Sequence, residues 1–271
     1  MKDSYSKRDF EKGPQTYTDA KFLDNIFEAT GLSEFNGSAV VVDFMSGPGK
    51  VALGMQERAI RHKYAILDAS EGQLAKINAP SIEKILDNVT DLHLPEKSID
   101  VGLVRYGLKD IPSEQQIGVL KQINRTIKVG GELVVVDMVS PDGAKEWSNK
   151  QHSLKQQFSG RDIAKDGECN IPTENEWLTM LKEAGFMPEV FSYYVSKVTT
   201  KDWVKGKQIS DEQREKMDAL ILAAPDKIRK TFNIRQEGAD VKIDYPVVII
   251  KAIKKESNSD LPESGEIYVA K

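Results

Sequence analysis

One segment limits the fold more than any other. Ala39-Val40-Val41-Val42-Asp43-Phe44 is a continuous apolar run ending in an acid, and Met45-Ser46-Gly47-Pro48-Gly49 follows at once. Such a run reads as a parallel strand buried on both faces. The glycine-rich turn leads into a helix from about Val51 to Arg61. A strand, a glycine turn and a helix form the opening unit of a doubly wound sheet.

The rest of the first half repeats that alternation. Tyr64 to Asp68 is a second strand ending in an acid, and Gly72 to Asn78 reads as a helix. Ile85 to Val89 is a weaker third strand and Ile99 to Val104 a fourth. A helix over Glu114–Ile127, ended by Gly130-Gly131, precedes a fifth strand from Glu132 to Met138. Asp19 to Thr30 has Phe22, Leu23, Ile26 and Phe27 at helical spacing, with Gly31 as a natural stop.

After Ser140 the pattern changes. A polar, irregular stretch over 141–172 holds a helix from Ala144 to Phe158. Thr173-Glu174-Asn175-Glu176 is a capping box opening a helix to Ala184-Gly185. Phe191 to Thr199 alternates like a strand, Ser210-Asp211-Glu212-Gln213 opens another helix, and Tyr245 to Ile253 is a final strand. The expected parts are an arm and cap helix over 1–38, a ligand-binding core over 39–140, and a lid segment with helix and strand over 141–199. A helical insertion over 200–240 (lid or dimer element), a last strand over 241–255 and a polar tail over 256–271 complete the chain. The connection from Lys201 to Glu237 exceeds a usual hairpin loop, which is why a lid or a homodimer contact is expected there.

Composition removes several classes of function. The chain has 271 residues, 39% hydrophobic and 30% charged, enough apolar material for a full central sheet. Its formal net charge is -4, its pI is near 5.6, and basic clusters such as Lys251, Lys254 and Lys255 are short. Nucleic acid is therefore not an expected partner. The one cysteine, Cys169, excludes an intrachain disulfide and a cysteine-rich metal site, and suits a cytoplasmic location. Met1 to Phe10 is charged, so no secretory signal is expected. The longest apolar run, Val247 to Ile250, is too short to span a bilayer.

The turn after the first strand carries the chemistry. Glycines let a backbone approach a ligand without a Cβ clash, and the next helix aims free N–H groups at it. Gly47-Pro48-Gly49-Lys50-Val51-Ala52 also fits the G-x-G-x-x-A dinucleotide pattern, which leaves an NAD(P)-dependent oxidoreductase as an alternative. No Tyr-x-x-x-Lys pair accompanies it. Asp43 favours a different ligand: a carboxylate before the loop would repel a pyrophosphate but suits a cationic amino acid. Asp68 ends the second strand, where a carboxylate can accept ribose hydroxyls. Asp91 follows the third, where one can accept from an adenine amine.

These segments resemble the class I S-adenosylmethionine (SAM)-dependent methyltransferases. Val41 to Gly49 looks like the first motif of that family, Leu67-Asp68 like its ribose-binding acid, and Asn88-Val89-Thr90-Asp91-Leu92-His93-Leu94-Pro95 like its adenine-side motif. Ile99 to Val104 is similar to its fourth strand and Ile127 to Leu133 to its turn into strand five. The ordered match covers residues 39–138. Arg105-Tyr106-Gly107-Leu108-Lys109-Asp110-Ile111-Pro112 resembles the ubiquinone/menaquinone C-methyltransferase group, which carries Arg-Asn where this chain has Lys109-Asp110.

The resemblance implies a Rossmann-like, seven-stranded, mostly parallel sheet with one antiparallel strand and helical lid elements. It implies SAM as cofactor, held by Asp43, Ser46, Gly47, Gly49, Asp68, Ala69, Asp91, Leu92, Arg105 and Tyr106, and methyl transfer to a small molecule by in-line displacement. Arg105 and Tyr106 would border the sulfonium. Candidate bases are Tyr106, Asp110 and His152. Candidate acceptor contacts are Tyr17, Trp147 and His152, with Tyr5 and Tyr17 folding over the ligand. His62 reads as a solvated surface residue, and Trp177 as core. The three histidines make no metal-ligand pattern, so no metal is expected. A non-catalytic SAM-fold subunit is a third reading.

Overall fold

The structure, a computed structural model, describes residues 19–256. Tyr5, Tyr17 and the polar tail lie outside the described residues. The strands are β1 (Val40–Phe44), β2 (Lys63–Asp68), β3 (Ile82–Leu86), β4 (Ile99–Arg105), β5 (Ile127–Met138), β6 (Phe186–Thr199), β7 (Arg235–Glu237) and β8 (Asp240–Lys254). The helices are α1 (Ala20–Ala29), α2 (Lys50–Arg58), α3 (Glu71–Leu74), α4 (Ser113–Thr126), α5 (Lys145–Phe158), α6 (Ile163–Asp166), α7 (Glu174–Glu183), α8 (Thr200–Val204), α9 (Asp211–Leu222) and α10 (Asp226–Thr231).

They form one sheet in the order β3-β2-β1-β4-β5-β8-β6, with β7 paired to β8. β8 runs antiparallel to both β5 and β6, while β1 to β5 are parallel. The expected seven strands are thus present, and an eighth, β7, joins them. It closes a hairpin on β8 through Gly238, whose φ of +61° suits a tight turn. The segment over 200–240 is therefore helical only as far as Thr231.

Cover on both faces explains why β1 is apolar at every position except Asp43. Val41 faces α1 and α2, packing with Phe22, Ile26, Val51 and Met55. Val42 and Phe44 face the other side, with Val119 and Ile123 of α4 and Trp177 and Leu181 of α7. Both faces of the sheet are covered, as a parallel sheet requires. Trp177 is fully buried and donates its indole N–H to Met138 O at 3.1 Å. Both capping boxes form, at Thr173–Glu176 and Ser210–Gln213.

Several boundaries differ from the expected ones. The second strand-to-strand helix is a single turn, Glu71–Leu74, and β3 begins at Ile82. Gly130-Gly131 does not stop the helix: α4 ends at Thr126 and β5 begins at Ile127. The two glycines sit in a bulge, where pairing with β4 skips from Ile99–Ile127 to Val101–Glu132. A Cβ on Gly131 would come within 2.8 Å of Asp100 O. His62 is not a solvated residue either. It is buried, accepting the Ala39 N–H at Nδ1 (3.1 Å), with Nε2 3.0 Å from Leu32 O.

Register fixes where the third hydrophobic cluster lies. Met138 ends β5 opposite Val247 of antiparallel β8, so residues before Val247 continue past the carboxyl edge of the parallel strands. The end of β6 extends with them, pairing Thr199 to Lys242. Val241, Ile243 and Tyr245 there pack with Trp203, Met217, Ile221 and Phe232. The helices α5, α8, α9 and α10 thus build a second small core above that edge. No helix among the described residues is long and apolar enough to cross a membrane.

Candidate functional site

The turn after β1 is held open by left-handed backbone. Met45, Gly47 and Gly49 have φ of 53°, 56° and 69°. Gly49 caps α2, and a Cβ there would meet Ile77 Cδ1 at 2.8 Å. That glycine is required by helix-to-sheet packing, whereas its sequence reading rested on approach to a ligand. Ser46 N–H donates to Leu67 O at 3.1 Å, fastening the turn to β2.

Asp68, at the end of β2, accepts the Gly47 N–H at 2.8 Å and the Ser70 N–H at 2.9 Å. Both oxygens are engaged by the backbone, and each keeps a further lone pair. Asp43 is buried and accepts the Ala52 N–H at 3.3 Å. Burial raises its pKa from 3.8 to about 7; the Arg105 charge and the Ala52 bond pull the other way, and the nearby Asp68 charge adds to the rise. Burial also raises Asp68. These two acids and Arg105, which ends β4 beside β1, share one electrostatic site at the mouth of the turn.

Tyr106 follows with a φ of 54° and donates its N–H to Val136 O at 2.9 Å. A Cβ on the next residue, Gly107, would meet the Met45 side chain at 2.9 Å. Two left-handed residues, Met45 and Tyr106, therefore bring the turns after β1 and β4 into contact. Neither is glycine, so composition gave no cue to them.

Asp91 sits differently from the other two acids. It is exposed, in a turn closed by its N–H to Asn88 O at 2.9 Å. Asp87 shapes this turn, accepting the Asn88 N–H at 2.8 Å and the His93 N–H at 2.9 Å. The exposed His93 ring lies 3.0 Å from Asp87 through Nδ1. Leu92 is buried and Ala69 half-buried. Asp43 and Asp68 are thus brought together, and Asp91 marks the outer end of the same strand edge.

A second polar cluster lies beyond Tyr106. Asp110 Oδ1 is 2.7 Å from His152 Nε2, accepts from Gln156 Nε2 at 2.8 Å, and lies 4.0 Å from Cys169 Sγ. Lys109 Nζ is 3.5 Å from Asp110 Oδ2 and donates to Tyr106 O. Burial, with the Lys155 charge next, lowers His152 to about 3, and burial raises the Cys169 thiol to about 12. The donor atoms of Asp110, His152 and Cys169 lie within 4.8 Å of one another. The 2.7 Å separation is that of a hydrogen bond, shorter than the roughly 3.3 Å between ligands of a tetrahedral zinc, and ammonium groups flank it. The cluster is a hydrogen-bond network. Sequence separation hid it: Asp110 and His152 were separate candidates, Lys109 stood out only as a departure from the family's Arg-Asn, and Gln156 and Cys169 carried no motif.

Trp147 is half-buried, its ring 5.0 Å from Phe232. Trp203 lies 5.1 Å from Tyr245 and 6.3 Å from His152. Tyr106 packs against both the α1–α2 side of the sheet and the core above it, so it stands between the two polar clusters.

A glycine turn, an acid at each of two adjoining strand ends and a cap over the carboxyl edge make up one candidate ligand site. Residues 41–131 match the methyltransferase domain family, and the chain is similar to the ubiquinone/menaquinone C-methyltransferase group. It is 28% identical over 179 residues to the ubiquinone/menaquinone biosynthesis C-methyltransferase of Rhizobium rhizogenes, covering 57% of this chain and 67% of that one. It is 24% identical over 132 residues to the demethylmenaquinone methyltransferase of Listeria welshimeri, covering 45% and 55%. The chain thus spans between about half and two thirds of these relatives. The fold is shared with the YcgJ protein of Bacillus subtilis at a TM-score of 0.74 and 16% identity, over 87% of this chain and 98% of that one.

Proposed function

We propose that this protein transfers a methyl group from SAM to a small-molecule acceptor. The observation that carries the reading is the pairing of Asp68 and Asp43 around the Gly47–Gly49 turn. The turn offers N–H groups and close backbone approach. Asp43 supplies the negative charge a methionyl ammonium seeks, and Asp68 retains lone pairs for ribose hydroxyls. Ser46, Ala69, Asp91 and Leu92 would complete the nucleoside side, with Arg105 and Tyr106 at the sulfonium. A pyrophosphate would place its charges against two carboxylates, which disfavours a dinucleotide.

Methyl transfer from a sulfonium is an in-line displacement that needs alignment and exclusion of water, which can lower the barrier by roughly 7–11 kcal/mol. The core above the carboxyl edge is placed to provide both, and it suits an acceptor small enough to be enclosed. The net charge of -4 supports a metabolite over a nucleic acid, and the single cysteine suits a cytoplasmic enzyme. Titration calorimetry with SAM, and with NAD as control, tests the reading. We expect one SAM per chain and no heat from NAD. Binding of NAD alone would replace the reading with a nicotinamide enzyme. SAM binding without turnover on any metabolite would leave a non-catalytic subunit.

A further inference from the structure

Five buried polar atoms above the carboxyl edge have no hydrogen-bond partner among the described residues. They are Ser148 Oγ, Gln151 Oε1 and His152 Nδ1 on α5, Ser196 Oγ near the end of β6, and Thr200 Oγ1 of α8. Buried polar groups are ordinarily bonded, so a cluster of such orphans calls for a ligand. They do cluster. Ser148, Gln151 and His152 share one face of α5 by their spacing. Ser196 pairs with Tyr245 across β6 and β8, so the two side chains share a face. The Tyr245 ring is 5.1 Å from Trp203, and Trp203 is 6.3 Å from the His152 ring. Thr200 is nearly one helical turn before Trp203. The five atoms therefore lie on elements that meet at the Trp203–Tyr245 pair, where the Lys155 ammonium stands 4.0 Å from the centre of the Trp203 ring.

His152 is oriented for chemistry. Its Nε2 faces the Asp110 carboxylate at 2.7 Å, which assigns the ring hydrogen to Nε2 and leaves Nδ1 as a bare lone pair. The other charged groups acting on the ring are Lys155 of α5 and Lys109 of the turn after β4, with the Cys169 thiol against Asp110. Nδ1 and Gln151 Oε1 both accept, so the ligand must present at least two donors.

We propose that this ring of atoms is the acceptor site, that it takes a compact ring compound bearing at least two O–H or N–H donors, and that His152 Nδ1 receives the proton of the hydroxyl that is methylated. The inference rests on the methyltransferase reading. As the acceptor oxygen bonds the methyl carbon, the carbon–sulfur bond breaks and its electron pair stays on sulfur. The hydroxyl proton moves to Nδ1. The resulting imidazolium is held by Asp110, and the products are a methyl ether and S-adenosylhomocysteine. Tyr106 lies between this site and the glycine turn.

The test uses the whole protein loaded with S-adenosylhomocysteine, and catechol as probe. Catechol should bind and 1,2-dimethoxybenzene, which has no donor, should not. His152→Phe should weaken catechol at least tenfold and leave S-adenosylhomocysteine affinity unchanged. Thr200→Val and Ser196→Ala should melt no lower than the wild type, because each removes an orphan, yet weaken catechol severalfold. With SAM, Asp110→Asn should lower kcat more than it raises KM and shift the acid limb of the kcat profile. The proposal is overturned if saturated protein binds no catechol at millimolar concentration, if the dimethoxy compound binds equally well, or if the orphan variants lose thermal stability while keeping catechol affinity. Failure to bind S-adenosylhomocysteine at all would instead remove the cofactor reading beneath it.

Discussion

Asp68 accepts the backbone N–H of Gly47 at 2.8 Å, so the acid at the end of β2 also holds the turn that follows β1. One side chain thus shapes the loop and, in the proposed reading, would also accept the ribose hydroxyls. Asp68→Ala removes the partner of two backbone N–H groups, Gly47 and Ser70. We expect a loss of about 1–3 kcal/mol in urea unfolding without ligand. SAM affinity should fall further than Asp68→Asn lowers it, since asparagine keeps one acceptor oxygen. Equal affinities for the two variants would show that the acid touches no ribose.

Asp43 makes a prediction in pH. Its carboxyl is raised from 3.8 to about 7 by burial. A raised folded-state value means that the proton favours the fold. The contribution is full below about pH 3.8 and is lost as pH rises to about 7. Asp43→Asn should therefore melt above the wild type at pH 8 and level with it at pH 4. A bound methionyl ammonium would stabilise the ionised form, so SAM binding should release a proton below pH 7 and weaken as pH falls. Calorimetry at pH 6.5 in two buffers of different ionisation heat measures that proton. In the asparagine variant the release should vanish, and Kd should rise roughly 10- to 100-fold, the worth of a charge-assisted contact of about 1.5–3 kcal/mol.

Gly49→Ala tests the packing role of the turn. It places a side chain at φ 69° and 2.8 Å from Ile77 Cδ1. We expect a loss of about 1–3 kcal/mol, read by chemical unfolding. Gly118→Ala, in a helix with open space around it, should be neutral or stabilising by up to about 1 kcal/mol.

Arg161 anchors the second cluster. Its buried guanidinium donates to Asp110 O at 2.7 Å and to the carbonyls of Asp166 and Gly167 at 2.8 Å each. Lysine cannot match that fork, so Arg161→Lys should lower stability by about 2 kcal/mol or more. SAM affinity, set in the proposed reading by Asp43, Asp68 and the Gly47 turn, should hold in the folded fraction.

Much of this arrangement was legible in the chain. The unbroken run over Val40–Phe44 marked a strand covered on both sides, and the acid–glycine spacing marked the mouth of the sheet. Local signals such as Thr173–Glu176 announced their own caps. The misses have physical causes. Gly130-Gly131 serves a bulge against Asp100 O, a tertiary demand that mimics a helix stop. His62 looked exposed because its basic neighbours are polar, yet its ring satisfies buried backbone groups. The Asp110 network joins residues 42 and 59 positions apart, and only the folding of α5 and the loop holding Cys169 against the turn after β4 unites them. β7 is too short to carry a period.

In the proposed reading one nucleoside lies across the ends of β1, β2 and β3, and a crystal structure with S-adenosylhomocysteine is the decisive measurement. Ribose hydroxyls are expected within about 2.6–3.1 Å of Asp68, the ammonium at the Gly47 turn on the Asp43 side, the adenine towards Asp91, and the sulfur beside Tyr106. Density elsewhere, or a ribose turned away from Asp68, would contradict it.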